Sequence, residues 1–186
     1  MQTVSAISGT PVLWRRLEAW PVASRPAGLW PYIAEAGSLT ENLRARADAE
    51  LEVRVLQEGP HMLAAEDAVA LGAEARDSAF VREVYLCGSE PWVYARSLGA
   101  VAQGGARWLK RLGARPLGDR VFAEADTRRG AIEVAQISAG QPLYEDAVAG
   151  LGASPVTPML WARRSVLSVG GARLLIYECF LPGLSA

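Results

Sequence analysis

The chain has 186 residues, 51% of them hydrophobic, and its 19 basic and 20 acidic residues leave a net charge of −1. This length and composition predict one folded domain with a real core rather than a disordered chain. The near-neutral charge argues against general nucleic-acid binding, although a local basic pocket is compatible with it.

Scarce residue types exclude several chemistries. The chain has one histidine, His61, one lysine, Lys110, and two distant cysteines, Cys87 and Cys179. A Cys/His zinc site needs about four such ligands, a Ser-His-Asp arrangement would have to use His61, and a Schiff base would have to use Lys110. Two cysteines so far apart in the sequence do not indicate a disulfide framework, so we expect a reducing compartment.

Targeting, membrane and nucleotide signals are also missing. The first residues show no basic region followed by an apolar run, and no stretch approaches the roughly 18 apolar residues of a membrane helix. No glycine-rich phosphate loop follows a predicted strand. We expect a soluble, cytoplasmic protein without membrane insertion.

Taken in chain order, proline-rich residues 1–27 predict an irregular arm on a domain of residues 28–186. A short helix is expected over 31–37, and the capping box of Ser38 and Glu41 predicts a helix over 39–47. Periodicity then predicts a strand at 51–55, a loop with His61, a helix at 64–71, strands at 80–87 and 92–98, and a helix at 105–112.

The last third predicts a strand at 131–138, a loop over 139–158, and strands at 160–169 and 172–181 around the turn Gly170-Gly171. Because most strands form hairpins, we predict an α+β fold: one antiparallel sheet with helices packed over it.

Two charged residues stand on apolar strand faces. In the strand at 80–87, Arg82 shares a face with Phe80, Val84 and Leu86, and in the last strand Glu178 lies between Ile176 and Phe180. Burying either charge alone would cost several kcal/mol. Three arrangements would avoid this cost. The two residues could form ion pairs, with each other or with neighbours such as Glu83, or the faces could be only partly covered. Alternatively, a pocket could lie on these faces, in which Arg82 binds an anionic ligand and Glu178 binds the polar end of that ligand.

Six blocks of sequence resemble, in order, the chorismate pyruvate-lyase family of ubiquinone biosynthesis, and the resemblance covers roughly residues 28–183. They are Gly37–Thr40, Val81–Cys87 with Glu90–Ser97, Leu112–Gly118, Thr127-Arg128 with Ile132-Glu133, Leu160–Ser165, and Leu174–Pro182.

The resemblance implies a ligand enclosed beneath helical flaps, and conversion of chorismate to 4-hydroxybenzoate and pyruvate without metal or cofactor. Matched motif to motif, it implies that Arg82 and the backbone amides of Leu39 and Leu117 bind the ring carboxylate, and that Glu178 binds the hydroxyl. The sequence departs from the family at Leu39, where methionine is frequent, and in the longer segment 139–158.

Chorismate is a dianion, so its second carboxylate also needs a cation, for which Arg128, Arg163 and Arg164 are candidates. Glu178 is expected to accept the hydroxyl's hydrogen bond, or to act as acid or base if burial raises its pKa. The helix after Ser38 and the Leu117 turn are the expected flaps, with nearby glycines as hinges, and we expect release of 4-hydroxybenzoate to limit turnover.

A different class of function shares this fold: effector-binding domains of transcription regulators, which hold small ligands without turnover. Those domains are normally fused to a winged-helix domain, and the residues before the first predicted helix are too few for one. We therefore expect a lyase, as a monomer, whose partners are chorismate and 4-hydroxybenzoate rather than nucleic acid.

Overall fold

The structure, a computed structural model, describes residues 10–47, 50–113, 115–152 and 157–184. Residues 1–9 of the expected arm and 153–156 of the expected loop lie outside this range. In the described part, the strands are β1 (Arg15–Arg16), β2 (Glu52–Met62), β3 (Ser78–Cys87), β4 (Pro91–Ala100), β5 (Arg128–Arg129), β6 (Glu133–Ser138), β7 (Met159–Val169) and β8 (Ala172–Phe180). The helices are α1 (Trp30–Ile33), α2 (Leu39–Arg46), α3 (Ala65–Leu71), α4 (Gly105–Leu109), α5 (Leu117–Val121) and α6 (Pro142–Val148).

The strands form one antiparallel sheet in the order β1-β6-β7-β8-β4-β3-β2, with β5 paired to β7. This confirms the predicted α+β class. Strands β3, β4 and β8 lie in the interior of the sheet, which is why almost all of their residues are buried.

The two sheet faces carry separate apolar layers, as the alternation in β3 and β8 predicts. On one face Tyr85, Cys87 and Cys179 pack in a cluster that includes residues of α3 and α6. On the other face, which holds Arg82 and Glu178, Val84 packs in a cluster that also contains residues of α1 and α2. Ile176, on the same face, packs in a neighbouring cluster with residues of α4 and α5. Both cysteines are buried and free on the face opposite Arg82 and Glu178.

Residues of the expected arm lie against the sheet. Strand β1 pairs with β6, and the Trp20 indole packs edge-on against Trp161 with a ring-centre distance of 4.7 Å. Its Nε1 donates to the Val134 carbonyl at 3.3 Å. These contacts bury an aromatic ring while satisfying its polar atom.

Several predicted boundaries were wrong. Strand β2 continues to Met62, so His61 lies on a strand rather than in a loop. The predicted loop 139–158 contains helix α6, which has Pro142 in its first turn and buries Leu143, Tyr144 and Ala147. Proline in the first turn and apolar residues at helical spacing are the signals that we missed. Helices α1 and α4 are shorter than predicted because each ends in a tight turn.

Among the described residues, no helix is long and apolar enough to cross a membrane.

Candidate active site

A cavity lies between the sheet and helices α2 and α5. Its floor includes the small side chains of Ala95 and Ser97 on β4, which leave room above the sheet. Helices α2 and α5, here called the flap helices, form its roof. Its described lining is Leu39, Thr40, Arg82, Val84, Leu86, Ala95, Ser97, Leu117, Gly118, Phe122, Arg129, Leu167, Ile176 and Glu178.

All four site residues predicted from the sequence line this cavity: Arg82, Glu178, Leu39 and Leu117. Arg82 is paired across the ladder with Ser97 of β4, and Glu178 is paired with Ala95 of the same strand. Strand β4 therefore separates the two charged residues, so their backbones lie roughly 10 Å apart across the sheet. The charged side chains thus stand on either side of the floor.

Arg82 is only 2% exposed. Its Nε donates to Glu58 Oε1 at 2.7 Å, and its Nη2 donates to the carbonyls of Gly113 at 2.9 Å and Arg115 at 3.2 Å. Nη1 has no hydrogen-bond partner among the described residues. The guanidinium therefore binds two carbonyls that precede α5, and its Nη1 is available to a ligand.

Of the alternatives left open for Arg82 and Glu178, the structure shows neither their pairing with each other nor a pairing of Arg82 with Glu83, but an ion pair of each with another neighbouring residue. Glu178, 8% exposed, instead accepts a hydrogen bond from Arg163 Nε to Oε2 at 2.5 Å. Arg163 lies directly across from Glu178 on β7, and Arg82 pairs with Glu58 on β2. Each charge therefore has its own neighbouring partner, which is how the fold tolerates both.

Burial by itself would raise the pKa of Glu178, but the charges of Arg163 and Arg129 and the hydrogen bond from Arg163 outweigh it, so the pKa is lowered. The carboxyl group is thus ionised at neutral pH. This arrangement suits a hydrogen-bond acceptor or a base, and it does not suit a general acid.

The two predicted backbone amides begin the two flap helices. Leu39 is the first residue of α2, whose cap Ser38 accepts a hydrogen bond from the Glu41 amide at 3.3 Å. Leu117 is the first residue of α5. Amides in a first helical turn have no partner within the helix, so both are available to an acceptor.

Gly118 allows the two flap helices to meet. A Cβ atom at this position would lie 2.8 Å from Thr40 Oγ1 and 3.0 Å from Ser38 Oγ. A larger residue would push α5 away from the start of α2. Outside the cavity, Arg44 of α2 and Asp119 of α5 form a two-pronged ion pair with both distances at 2.7 Å. The flap helices are therefore joined at both the cavity and the surface.

Arg129 lines the cavity and was not among the residues predicted for the site. Its Nε donates to the Ala36 carbonyl at 2.9 Å, and its Nη1 donates to Ser165 Oγ at 2.5 Å. The three arginines named as candidates for the second carboxylate, Arg128, Arg163 and Arg164, do not line it.

Arg128 lies beside Arg129 on β5, is exposed, and donates to the carbonyls of Ala125 and Thr127. Arg164 pairs with Glu133 and Glu66. Arg128 and Arg129 are consecutive residues of β5, so their side chains lie on opposite faces of the sheet. The pairing of β5 with β7 decides which of the two lies on the cavity face.

No group of three or more His, Cys, Asp or Glu side chains with the spacing of a metal site occurs within the described ranges.

The fold places the chain in a class of small α+β domains that cover one sheet with helices. It is similar to the effector domain of PhnF from Mycobacterium smegmatis, with a TM-score of 0.57 and 15% identity over 80% of this chain and 91% of that one. It is also similar to a GntR-family transcriptional regulator from Bacillus cereus, with a TM-score of 0.50 and 14% identity over 73% of this chain and 94% of that one. At these identities the likeness shows the fold alone.

Sequence comparison defines the family. A family model described as chorismate lyase matches residues 10–185. The chain is 39% identical to the "Probable chorismate pyruvate-lyase" of Dechloromonas aromatica over 83% of this chain and 86% of that protein. It is 40% identical to the protein of the same name from Halorhodospira halophila over 87% and 86%.

The chain therefore belongs to the chorismate lyase family, and it is a lyase. The alternative of a non-catalytic effector-binding domain is not favoured, because the fold likeness to regulators comes with low identity and the family match covers nearly the whole chain.

Proposed function

We propose that this protein converts chorismate to 4-hydroxybenzoate and pyruvate in the cavity beneath the flap helices, and that this reaction supplies ubiquinone biosynthesis. The observation that carries the proposal is that Arg82, Glu178, Leu39 and Leu117, which match the family motifs, line one cavity. The reaction is proposed to need no metal and no cofactor.

The ring carboxylate binds at the Arg82 end. The Arg82 guanidinium supplies a fixed cation, and the amides of Leu39 and Leu117 add two donors from the flap helices. Charge-assisted hydrogen bonds are the stronger class of hydrogen bond. At the other end, the ionised Glu178 accepts a hydrogen bond from the ring hydroxyl.

The chemistry itself requires little from the protein. The bond between the ring and the enolpyruvyl ether oxygen breaks, and the hydrogen leaves the ring carbon that bears the hydroxyl. That hydrogen ends on the enolpyruvyl methylene, which becomes the methyl group of pyruvate, so the atoms balance without oxidant or water. Aromatisation drives the step, and the site contributes by fixing the reactive conformer and excluding water.

Product release follows from the same contacts. The site grips both ends of 4-hydroxybenzoate, and interactions shared by substrate and product lower KM without raising kcat. Helices α2 and α5 cover the cavity in which the product would lie, so their separation would open a way out. We therefore propose that flap opening limits turnover.

The direct test is incubation of the purified protein with chorismate, with EDTA present and absent. We expect equimolar pyruvate and 4-hydroxybenzoate under both conditions. As a control, Glu178→Gln should fold and form these products more slowly. Failure of the wild-type protein to release pyruvate would overturn the proposed function, and loss of activity in EDTA that a divalent cation restores would overturn its metal-free form.

A further inference from the structure

Arg129 stands out among the charged residues of the cavity because it has no counterion in contact. Arg82 pairs with Glu58, and Glu178 pairs with Arg163. The hydrogen-bond partners of Arg129 in the described part of the chain are all neutral: two backbone carbonyls and the Ser165 hydroxyl. Within these residues, no ion pair joins it to a carboxylate.

Burial makes the charged form of Arg129 less favourable. Burial lowers the pKa of its guanidinium, against the attraction of the nearby Glu178. An arginine carries five N–H donors, and the three hydrogen bonds described use one each from Nε, Nη1 and Nη2. One N–H on each Nη therefore remains for a ligand in the cavity that Arg129 lines.

The register of the sheet places Arg82 and Arg129 at opposite ends of one line of residues. Arg82 pairs with Ser97, Ser97 pairs with Ile176, and Ile176 pairs with Ser165. Ser165 is the residue whose hydroxyl accepts from Arg129. Three strand spacings, roughly 14 Å between backbones, thus separate the Arg82 end from the Arg129 end.

The cavity therefore offers two cationic ends with a polar carboxylate between them. Ser97 and Ile176 form the floor in the middle of this line, and Glu178 lies next to Ile176 on the same face of β8. A ligand with one carboxylate fills the Arg82 end and leaves Arg129 without a counterion. A ligand with two carboxylates satisfies both.

We propose that Arg129 binds the second, enolpyruvyl carboxylate of the substrate and thereby makes the site favour the dianionic substrate over the monoanionic product. This inference rests on the proposed function. Arg163 is a weaker candidate, although its buried Nη2 has no partner among the described residues. Glu178 already neutralises it, and it does not line the cavity.

A merely structural role for Arg129 makes a different prediction. Its hydrogen bonds to Ala36 and Gly37 hold the turn before α2, so a loosened turn would weaken every ligand that the flap helices cover. A carboxylate-binding role weakens only ligands that carry the second carboxylate. The ratio of the affinity for a ligand with the second carboxylate to the affinity for one without it therefore distinguishes the two roles, whereas activity alone does not.

The probes are two stable aromatic compounds: 3-(carboxymethoxy)-4-hydroxybenzoate, which carries a second carboxylate on an ether beside the hydroxyl, and its methyl ester on that ether arm, which lacks this charge. Dissociation constants are measured calorimetrically for the wild-type protein, Arg129→Gln and Arg129→Lys. Arg128→Gln is the matched control, because it removes an exposed arginine from the same strand without touching the cavity.

We expect wild type and Arg128→Gln to bind the diacid about tenfold or more tightly than the ester, as a charge-assisted hydrogen bond predicts. Arg129→Gln should abolish this preference while binding of 4-hydroxybenzoate changes little, and Arg129→Lys should keep part of it.

Equal binding of diacid and ester by the wild type would overturn the inference without any variant. So would an equal loss for all ligands in Arg129→Gln. If the wild type discriminates in this way but releases no pyruvate from chorismate, the proposed function fails while the role of Arg129 as a carboxylate receptor stands.

Discussion

The guanidinium of Arg163 joins Glu178 to the chain that leads into the first flap helix. Its Nε donates to Glu178 Oε2 at 2.5 Å, and its Nη1 donates to the carbonyls of Tyr32 at 3.0 Å, Ile33 at 3.1 Å and Glu35 at 2.6 Å. One buried side chain thus keeps the carboxylate ionised and fixes the end of α1, just before α2. This link connects the electrostatics of the site with the position of its roof.

Arg163→Met should destabilise the protein by about 3–5 kcal/mol, because it leaves a buried charge without its partner. It should also reverse the contribution of Glu178 to the pH dependence of stability. In the wild type, the lowered pKa of Glu178 makes a contribution that is present above the pKa of the unfolded chain and is lost as pH falls through the folded pKa. Without Arg163, burial outweighs the remaining attraction of Arg129, and the pKa rises.

In the variant, the contribution of Glu178 is therefore lost as pH rises above the unfolded pKa. The measurement is the free energy of unfolding in urea between about pH 4 and pH 8, for Arg163→Met and for Arg163→Met with Glu178→Gln. Stability of the single variant relative to the double variant should fall as pH rises. A difference that stays constant or grows would show that Arg163 does not control the ionisation of Glu178.

Arg82→Lys should weaken binding of 4-hydroxybenzoate by roughly ten- to a hundredfold, the equivalent of about 1.5–3 kcal/mol for a charge-assisted hydrogen bond. Lysine keeps the charge but cannot donate to Glu58, to the Gly113 and Arg115 carbonyls and to a carboxylate at once. Calorimetric titration of the product measures the effect. Glu58→Gln is the control, because it leaves the guanidinium in place. An unchanged dissociation constant in Arg82→Lys would place the carboxylate elsewhere.

Arg44→Gln should accelerate product release. The Arg44–Asp119 pair joins the flap helices at the surface, where both side chains are partly exposed, and such pairs stabilise by about 0.2–1 kcal/mol. Loss of this pair should raise steady-state turnover about 1.4- to fivefold and leave the single-turnover rate unchanged. Arg107→Gln, an exposed arginine on α4, should change neither rate. If single turnover is no faster than steady state in the wild type, release does not limit the reaction.

The sequence predicts that Arg82 and Glu178 lie on an otherwise apolar face of the sheet. This prediction was possible because side chains alternate clearly along the buried strands β3 and β8. The partner of Glu178 was also predictable. The hairpin turn Gly170-Gly171 sets the β7–β8 register, and counting back from it pairs Arg163 with Glu178. We instead considered Arg163 as a candidate for the second carboxylate and missed this relationship.

Other features depend on contacts that no local pattern encodes. The pairing of Arg82 with Glu58 requires a bulge in β2 between Val55 and Gln57. The position of Arg129 at the cavity follows from the pairing of the two-residue strand β5 with β7, where Arg129 lies opposite the buried Leu167. Strands this short have too few residues for periodicity to identify them.

The position and orientation of bound 4-hydroxybenzoate test the proposed site most directly. The measurement is a crystal structure of the protein with 4-hydroxybenzoate. We predict that its carboxylate lies within hydrogen-bond distance of Arg82 Nη1 and of the Leu39 and Leu117 amides, and that its hydroxyl donates to Glu178. A product bound in the reverse orientation, with its hydroxyl at Arg82, or one bound outside the cavity beneath the flap helices, would contradict it.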